Sequence, residues 1–403
     1  MKKQYLLLLI VAGLLTFFSA CRNNATYKTL IITGQNNHNW KASYPVLKQL
    51  LDQTGMFSSE IMITPEKGGD MTTFDPDFSK YKLVVLDYNG DSWSDKTNTA
   101  FLDYVKNGGA VVVYHAADNA FPAWNEYNEM IGLGGWGNRN EKDGPYVYYK
   151  RNELVTDTSK GIGGSHGKRH EFEVRTRITD HPITKGLPVR WLHGNDELYQ
   201  QLRGPANNMQ ILATAYADTA FGGTGRDEPM LMVINYEKGR IFHTAMGHAD
   251  EGGGPAMQCV GFITTFLRGA EWAVTGSVSQ EVPFDFPSAA GVILRPEFKE
   301  VTLEETMANI GNYDIAQSTK HFTNLQSFIR KAAGDEETLL QYEKMMTKVL
   351  ISNEATVEAK KLILRELSWM GSDYSVPAIK DLTTNAELKD EAEFALARLN
   401  AIK

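Results

Sequence analysis

Short apolar runs alternate with amphipathic segments along the first two thirds of the chain. Three runs, at residues 29–33, 82–87 and 110–114, are rich in β-branched residues and end at turn-forming residues, as buried strands do. Segments such as 44–51 and 97–105 carry apolar residues at helical spacing. Strands that are apolar on both faces are typical of parallel sheets covered by helices on both sides. The pattern therefore predicts an α/β fold with a doubly wound, mostly parallel sheet.

The same pattern predicts where a functional site should lie. In open α/β sheets ligands bind beyond the carboxyl ends of the strands, because the loops converge there and helix N-termini point inward. The loops at 34–40, 88–93 and 115–121 follow the three apolar runs. We expect the site at this edge of the sheet.

The chain divides into two units. Further strand-like runs and a closing helix complete a sheet domain that we assign to residues 27–276. Residues 277–300 mix Pro, Ser and Phe and are interpreted as a linker, so that a chain ending near Gln280 should fold without the rest. Residues 301–403 have helical periodicity and few strand-like runs, which predicts a separate all-α domain.

The predicted helical domain has a repeat-like end. Segment 375–400 resembles a HEAT-type repeat, in which neighbouring helix pairs must stack because one pair cannot bury its own apolar face. An irregular helical bundle is the alternative. Either arrangement would offer a surface to a protein partner.

Residues 1–21 have the layout of a lipoprotein signal peptide. Two lysines precede an apolar run that is too short to span a membrane as a mature helix. The Ser-Ala-Cys that follows resembles a lipobox, in which the sulfur of Cys21 is acylated and this residue becomes the new N-terminus. We expect an exported protein that a lipid at Cys21 anchors to a membrane, on the periplasmic side, with surface display left open. An ordinary signal peptide cleaved near Ala20 is the alternative.

The composition argues against a nucleic-acid partner and against an internal disulfide. A formal net charge of -8 and a pI of about 5.7 give no basic surface for nucleic acid, because phosphate neutralisation needs clustered Lys and Arg. Once Cys21 is acylated, Cys259 is the sole remaining thiol, so an internal disulfide is not expected.

Histidines concentrate in the predicted sheet domain. Eight of the nine precede its end, and three of them, His38, His115 and His248, lie in segments that follow predicted strands. Because such strand ends converge, we expect these three side chains to face one pocket. A neutral imidazole at a strand end suits either proton transfer or metal ligation.

An acidic side chain is expected to complete this group. The candidates are Asp118, Asp196 and Glu197; the last two are adjacent, so in an extended segment only one would face the site. Three imidazoles with one carboxylate would suit Zn²⁺ or a similar divalent ion with an open position. No tight metal-binding spacing occurs among them, so proton transfer and metal binding both stay open.

The remaining histidines of this domain are interpreted as structural or solvated. His166 and His170 lie in a Gly-rich segment that predicts a mobile loop, either covering substrate or simply exposed to solvent. His181, His193 and His243 are expected to make structural hydrogen bonds.

Five segments, in the correct order, resemble sequence blocks of the ThuA-like, trehalose-utilisation family. They are residues 38–40, 108–118 (Gly-Gly-Ala-Val-Val-Val-Tyr-His-Ala-Ala-Asp), 181–184, 196–199 and 239–248. The resemblance implies a fold like that of class I glutamine amidotransferases, which is flavodoxin-like, and a role in disaccharide or glycoside metabolism, including pathways through 3-keto sugars. No Cys or Ser stands beside His115, where the amidotransferases carry their nucleophile, so glutamine hydrolysis is not expected.

Aromatic residues cluster in the predicted loops and suggest a carbohydrate ligand. Aromatic faces stack on the C–H faces of sugar rings, while polar neighbours bond the hydroxyls. Trp40 and Trp93 lie in polar loops after strands and are predicted to face the sugar, with Asp196 and Tyr199 as further binding residues.

These observations favour an enzyme that acts on a disaccharide, a glycoside or a 3-keto sugar. Proton transfer by His115, His248, His38, Asp118 or Glu197 would drive isomerisation, hydration, elimination or hydrolysis, with or without a metal. The alternative is a non-catalytic lipoprotein that binds carbohydrate or serves as a scaffold through its helical domain.

Overall fold

The structure is a computed structural model that describes residues 26–299 and 301–402. The predicted signal segment 1–21, with Cys21, lies outside the described residues. Among the helices described, none has the length and apolar character needed to cross a membrane.

Strands and helices alternate through the sheet domain, and helices alone follow it. The described strands are β1 (Tyr27–Thr33), β2 (Phe57–Ile63), β3 (Leu83–Leu86), β4 (Ala110–Tyr114), β5 (Tyr146–Lys150), β6 (Glu153–Asp157), β7 (Ser165–His166), β8 (His170–Thr176), β9 (Arg190–Asp196), β10 (Tyr199–Gln200), β11 (Met209–Tyr216), β12 (Asp227–Tyr236) and β13 (Gly239–Thr244). The described helices are α1 (Trp40–Gln53), α2 (Asp95–Lys106), α3 (Asn125–Ile131), α4 (Gly254–Gln258), α5 (Val260–Thr275), α6 (Leu303–Ile310), α7 (Lys320–Lys331), α8 (Glu336–Ile351), α9 (Val357–Met370), α10 (Val376–Asp381) and α11 (Lys389–Ile402).

One large mixed sheet organises the first domain. Its strand order is β2-β1-β3-β4-β13-β12-β11-β8-β9, with the hairpin β5-β6 joined at β12. The first five strands of this order run parallel, and β12, β11, β8 and β9 continue it as antiparallel neighbours. The predicted α/β fold is confirmed, and the antiparallel half is a feature that the apolar pattern did not predict.

Helices cover both faces of the parallel half. Successive strand residues point to opposite faces, and Phe242 of β13 lies against α5 whereas His243 bonds the carbonyl of Ile131 in α3. A side chain in place of Gly269 on α5 would overlap the ring of Phe242, so the helix approaches the sheet closely here. All five residues of β4 are buried, as its continuous apolar sequence predicts.

The order of the strands brings several loops together. The chain runs outward from β1 to β2 and then returns to β3 on the other side of β1, which creates a crevice at the carboxyl ends of β1 and β3. The strand β9, at the far end of the antiparallel half, packs against α4 and α5. Because α4 and α5 follow β13, this packing places the end of β9 near the loops of the parallel half.

The segment predicted to be a linker packs against the sheet domain. Within the segment Arg295 and Asp285 form a buried ion pair, and the N–H of Val260 in α5 donates to the segment's Ile293 carbonyl at 2.9 Å. Phe298 is only 7% exposed and belongs to the core of the sheet domain. The sheet domain is therefore completed by residues beyond Gln280.

The predicted helical domain is present and has its own apolar core. Its buried residues include Met346, Leu350, Leu364 and Ile379, from α8, α9 and α10. The assignment of a HEAT-type repeat stays a prediction.

Candidate metal centre

Four side chains from different parts of the chain meet in one polar pocket. His38, His115, Glu197 and His248 each offer a ligand atom, and these atoms all lie within 4.8 Å of one another. Glu197 Oε2 is 3.1 Å from His38 Nε2 and 3.8 Å from His115 Nε2, and Glu197 Oε1 is 3.4 Å from His248 Nδ1. The structure thus brings together the three histidines predicted to share a pocket, and selects Glu197 among the acidic candidates.

His38 is oriented by the loop that follows β1. The backbone N–H of His38 donates to Asn36 Oδ1, and the ring Nδ1 of His38 lies 3.3 Å from the same oxygen. Asn36 in turn donates to Asp87, a buried carboxylate after β3 that also accepts from Ser43 Oγ. This chain of bonds leaves His38 Nε2 directed at Glu197.

His115 follows β4 in a strained conformation. Its φ is +44°, in the left-handed region that a non-glycine residue rarely adopts and that is often found at functional sites. Ring Nδ1 lies 2.8 Å from the carbonyl oxygen of Ala245 and donates to it, which leaves Nε2 unprotonated in the neutral ring. Nε2 is buried and has no hydrogen-bond partner among the described residues.

His248 lies just beyond β13, after a glycine that the site requires. Gly247 has a φ of +108°, and a side chain there would overlap the rings of Phe262 and Tyr114. The backbone can therefore turn tightly and direct His248 toward Glu197. His248 Nδ1 is buried and also lacks a hydrogen-bond partner among the described residues.

Burial and mutual contacts shift the pKa values of three of the four side chains. Burial would raise the pKa of Glu197, but its contacts with the three histidines hold that pKa well below its usual range. Burial lowers the pKa of His38 and outweighs the opposing effect of its bond to Glu197. Burial would also lower the pKa of His115, but the Glu197 carboxylate and the charge of Asp196 outweigh it and raise that pKa. The pocket therefore contains an ionised carboxylate beside two imidazoles whose pKa values shift in opposite directions, down for His38 and up for His115.

The pocket has a volume of about 360 Å³, and His166 and Trp136 also line it. His166 Nε2 is 3.8 Å from Glu197 Oε1, and Trp136 packs against His166 and Tyr199. The short strand β7, which carries His166, pairs with β10, so that His166 stands opposite Tyr199. His166 thus lies at the mouth of the pocket, where a loop that covers substrate, one of the two interpretations of this Gly-rich segment, would be placed.

The structure corrects three expectations about individual residues. Asp118 is fully buried and lies 3.4 Å from His243 Nε2, away from the four-residue group. Trp93 is 4% exposed and packs among aromatic rings such as Phe121, so it cannot stack on a sugar. Asp196 is fully buried because it faces the protein interior on the side opposite to Glu197, so it cannot bind substrate directly.

The two other predicted binding residues do lie near the centre. Tyr199 lines the pocket, although only 1% of its surface is exposed. Trp40 is half-buried and lines a neighbouring cleft of about 480 Å³, which shares Asn37 with the pocket. Their predicted roles in substrate binding stay predictions.

The donor atoms fit a divalent metal ion. Ring nitrogens that point into a pocket without partners are costly to bury, unless a ligand satisfies them. Metal-bound histidines are usually oriented by a bond from the other ring nitrogen, as His115 is by Ala245 and His38 by Asn36. Imidazole and carboxylate together suit Zn²⁺ and other first-row divalent ions.

Comparison with known proteins places the chain in a family. A ThuA-like protein from Parabacteroides merdae is 54% identical with a TM-score of 0.67, and the match covers 68% of this chain and 100% of that one. A ThuA-like protein from Bacteroides uniformis is 18% identical with a TM-score of 0.40, over 63% and 93% of the two chains. A cytoplasmic protein from Salmonella typhimurium is 13% identical with a TM-score of 0.36, over 61% and 98%. No curated protein was found to match. The family model for ThuA, described as trehalose utilisation, matches residues 28–273, and the chain therefore belongs to the ThuA family of sugar metabolism.

Proposed function

We propose that this protein is a metal-dependent enzyme of sugar metabolism that acts by proton transfer on a disaccharide, a glycoside or a keto sugar. The observation that carries the proposal is the convergence of His38, His115, His248 and Glu197, with two buried ring nitrogens that have no partner among the described residues. The description of the family points to trehalose, a disaccharide, as the first substrate to test.

The four donors set the coordination that we expect. A divalent ion held by them would supply Lewis acidity toward a carbonyl or hydroxyl oxygen of the sugar. A tetrahedral Zn²⁺ bound by all four side chains would be closed, as structural zinc sites are. An ion that accepts five or six ligands would keep positions for substrate.

His166 is the residue that we assign to proton transfer. Its side chain is 38% exposed, its Nε2 faces the centre, and it is not one of the four clustered donors. Ring Nδ1 lies 2.8 Å from the carbonyl oxygen of Gly167, which favours a proton on Nδ1 and leaves Nε2 able to accept one. An imidazole at this position can take a proton from a sugar carbon or hydroxyl, or return it, beside the four side chains that would hold the metal.

The pocket wall suits a sugar ring. Trp136 offers an aromatic face, and Asn37 and Asp250 offer polar groups for hydroxyls. These residues replace Trp93 in the role that the sequence suggested for it.

The proposed location is outside the cytoplasm, with a lipid on Cys21 as the membrane anchor. Its support is the sequence of residues 1–21. Mass spectrometry of the mature N-terminus tests this, since an unmodified chain that retains Met1 would contradict export. Binding of a protein partner by the helical domain stays a prediction.

The decisive experiment combines metal analysis with an activity screen. The purified mature chain is analysed for bound metals, then incubated with trehalose, other glycosides and their 3-keto derivatives, with and without chelator, while products are followed by mass spectrometry. We expect one divalent ion per chain and a turnover that chelator abolishes.

Matched variants make the result specific. Glu197→Gln should lose the ion, whereas Glu271→Gln, which changes a buried carboxylate on α5 outside the pocket, should keep it. Turnover that survives removal of all metal would contradict the metal-dependent mechanism. Sugar binding without any turnover would instead favour the non-catalytic carbohydrate-binding alternative.

A further inference from the structure

We infer that Asp196, supported by His193, is a positioning residue that holds Glu197 and His248 in their ligand geometry. The inference rests on the proposed metal centre and adds to it a residue pair that contacts neither metal nor substrate.

The carboxylate of Asp196 joins the two ligand-bearing segments through their backbones. Its Oδ1 accepts from the N–H of Glu197 at 2.7 Å and from the N–H of His248 at 3.1 Å. Its Oδ2 accepts from the N–H of Gly247 at 2.7 Å. One side chain therefore fixes the end of β9 to the turn after β13, two elements that come from different halves of the sheet.

His193 completes the set of bonds to this carboxylate. Its Nε2 lies 2.7 Å from Asp196 Oδ2 and donates to it, and both side chains are fully buried. The imidazole is packed against Phe172 and Trp191, with centroid distances of 5.1 and 6.3 Å. Asp196 thus has four hydrogen bonds, which offset the cost of burying its carboxylate.

This arrangement explains why the two adjacent acidic residues have different tasks. Glu197 turns toward the pocket and contacts three imidazoles, whereas Asp196 turns inward and sets the position of the backbone that carries Glu197. The same carboxylate also sets the backbone of His248. Bonds to the surroundings of metal ligands typically change metal affinity by about 10- to 100-fold when they are lost.

The test compares two buried carboxylates of similar bonding. Asp196→Asn puts an NH₂ group where one carboxylate oxygen stood, and because each oxygen accepts two N–H bonds, at least one backbone N–H then faces a donor in place of its acceptor. The control is Glu271→Gln: Glu271 is 3% exposed and also accepts four hydrogen bonds, from the backbone N–H and the side chains of Ser279 and Gln280. Both variants are made in the full mature chain.

Two measurements are made on each variant. Calorimetric titration with Mn²⁺ and with Zn²⁺ should give an affinity about 10- to 100-fold weaker for Asp196→Asn and unchanged for Glu271→Gln. Crystal structures of the metal-free proteins should show the contact between His248 Nδ1 and Glu197 Oε1, which is 3.4 Å in the parent, broken in Asp196→Asn alone.

His193 variants provide a second test. His193→Gln retains an N–H that can donate to Asp196 and should keep the affinity within about threefold, whereas His193→Phe removes the donor and should resemble Asp196→Asn. Unchanged affinity and unchanged metal-free geometry in Asp196→Asn and His193→Phe would overturn the inference. Failure of Asp196→Asn, His193→Gln and His193→Phe to fold, while Glu271→Gln folds, would also overturn it, since the pair would then be a general structural element.

The two proposals fail in distinguishable ways. A parent chain that binds no divalent ion would refute the metal centre, while the metal-free crystal structures would still decide whether Asp196 positions Glu197 and His248.

Discussion

The ring of Tyr199 stacks on the imidazole of His115, with centroids 4.3 Å apart and ring planes 26° apart. The phenol oxygen of Tyr199 is also 3.5 Å from His38 Nε2. Since Tyr199 is almost completely buried, it supports two of the four clustered residues from within the protein.

This stacking predicts different results for two substitutions of Tyr199. Tyr199→Phe keeps the ring and should leave metal affinity within about threefold, because an aromatic pair depends on its faces. Tyr199→Ala should weaken metal binding and lower the free energy of unfolding by about 3–5 kcal/mol through the cavity that it leaves. Calorimetric titration and urea denaturation measure the two effects. Equal metal affinity in both variants would show that the stack does not orient His115.

The pairing of His115 and His248 predicts joint loss of metal and turnover. Their ring centroids are 5.7 Å apart, so one ion can contact both. His115→Ala and His248→Ala should each lose most bound ion and reduce turnover by about 10²-fold or more, with chelator producing the same result. His170→Ala, which removes a ring stacked on Phe221 outside the pocket, is the control and should keep both. Full turnover in either pocket variant would contradict the shared centre.

The position of His166 predicts a separation of catalysis from metal binding. His166→Asn should reduce kcat by about 10²-fold while the bound metal stays at the parent level, because His166 lies beside the donor group but does not belong to it. Steady-state kinetics and metal analysis of the same preparation check this. Loss of the ion together with kcat would make His166 a ligand rather than a proton-transfer group.

Much of the centre follows from the sequence for a clear physical reason. His38, His115 and His248 each come after a strand of the parallel half, and parallel strands that run in one direction bring their ends to one edge. The apolar runs identify these strands, so the convergence of the three imidazoles could be predicted without coordinates.

The remaining residues depend on contacts between distant parts of the chain. The sequence offers Glu197 as one of three acidic candidates, and the choice among them depends on the return of the antiparallel half to the helices, which no local pattern encodes. Trp93 has polar neighbours in sequence, yet its ring is surrounded by Phe74, Phe101 and Phe121, because polarity along a loop does not determine where one side chain points. His166 is positioned by the pairing of two strands of two residues each, and strands this short leave no recognisable pattern in the sequence.

The burial of Glu228, which lies outside the pocket, predicts that the free energy of unfolding depends on pH. Burial raises the pKa of Glu228 to about 7, although bonds from Thr224 and Gln201 oppose this. Between the ordinary glutamate pKa of about 4.3 and this value the folded state binds more protons than the unfolded state, so this contribution to the free energy of unfolding falls as the pH rises.

The matching variant is Glu228→Gln, which resembles the protonated acid. Relative to the parent, it should gain up to about 3 kcal/mol of stability between pH 5 and pH 8. Urea denaturation at both pH values measures the difference. A parent and a variant with parallel pH profiles would show that Glu228 titrates normally.

The packing of residues 281–299 predicts where the sheet domain can be cut. The ring centroids of Phe286 and the fully buried Trp191 are 5.2 Å apart, and Phe298 belongs to the same core. A chain that ends at Gln280 therefore exposes the core residues that these two phenylalanines cover. Each large apolar side chain lost from the core costs about 1.5–3 kcal/mol. A chain ending at residue 299 should therefore unfold cooperatively and stay monomeric, whereas one ending at Gln280 should have a lower urea midpoint and a tendency to aggregate. Urea denaturation and size-exclusion chromatography compare the two. Equal midpoints would mean that the segment is a linker after all, and aggregation of both chains would mean that the helical domain covers an apolar face of the sheet domain.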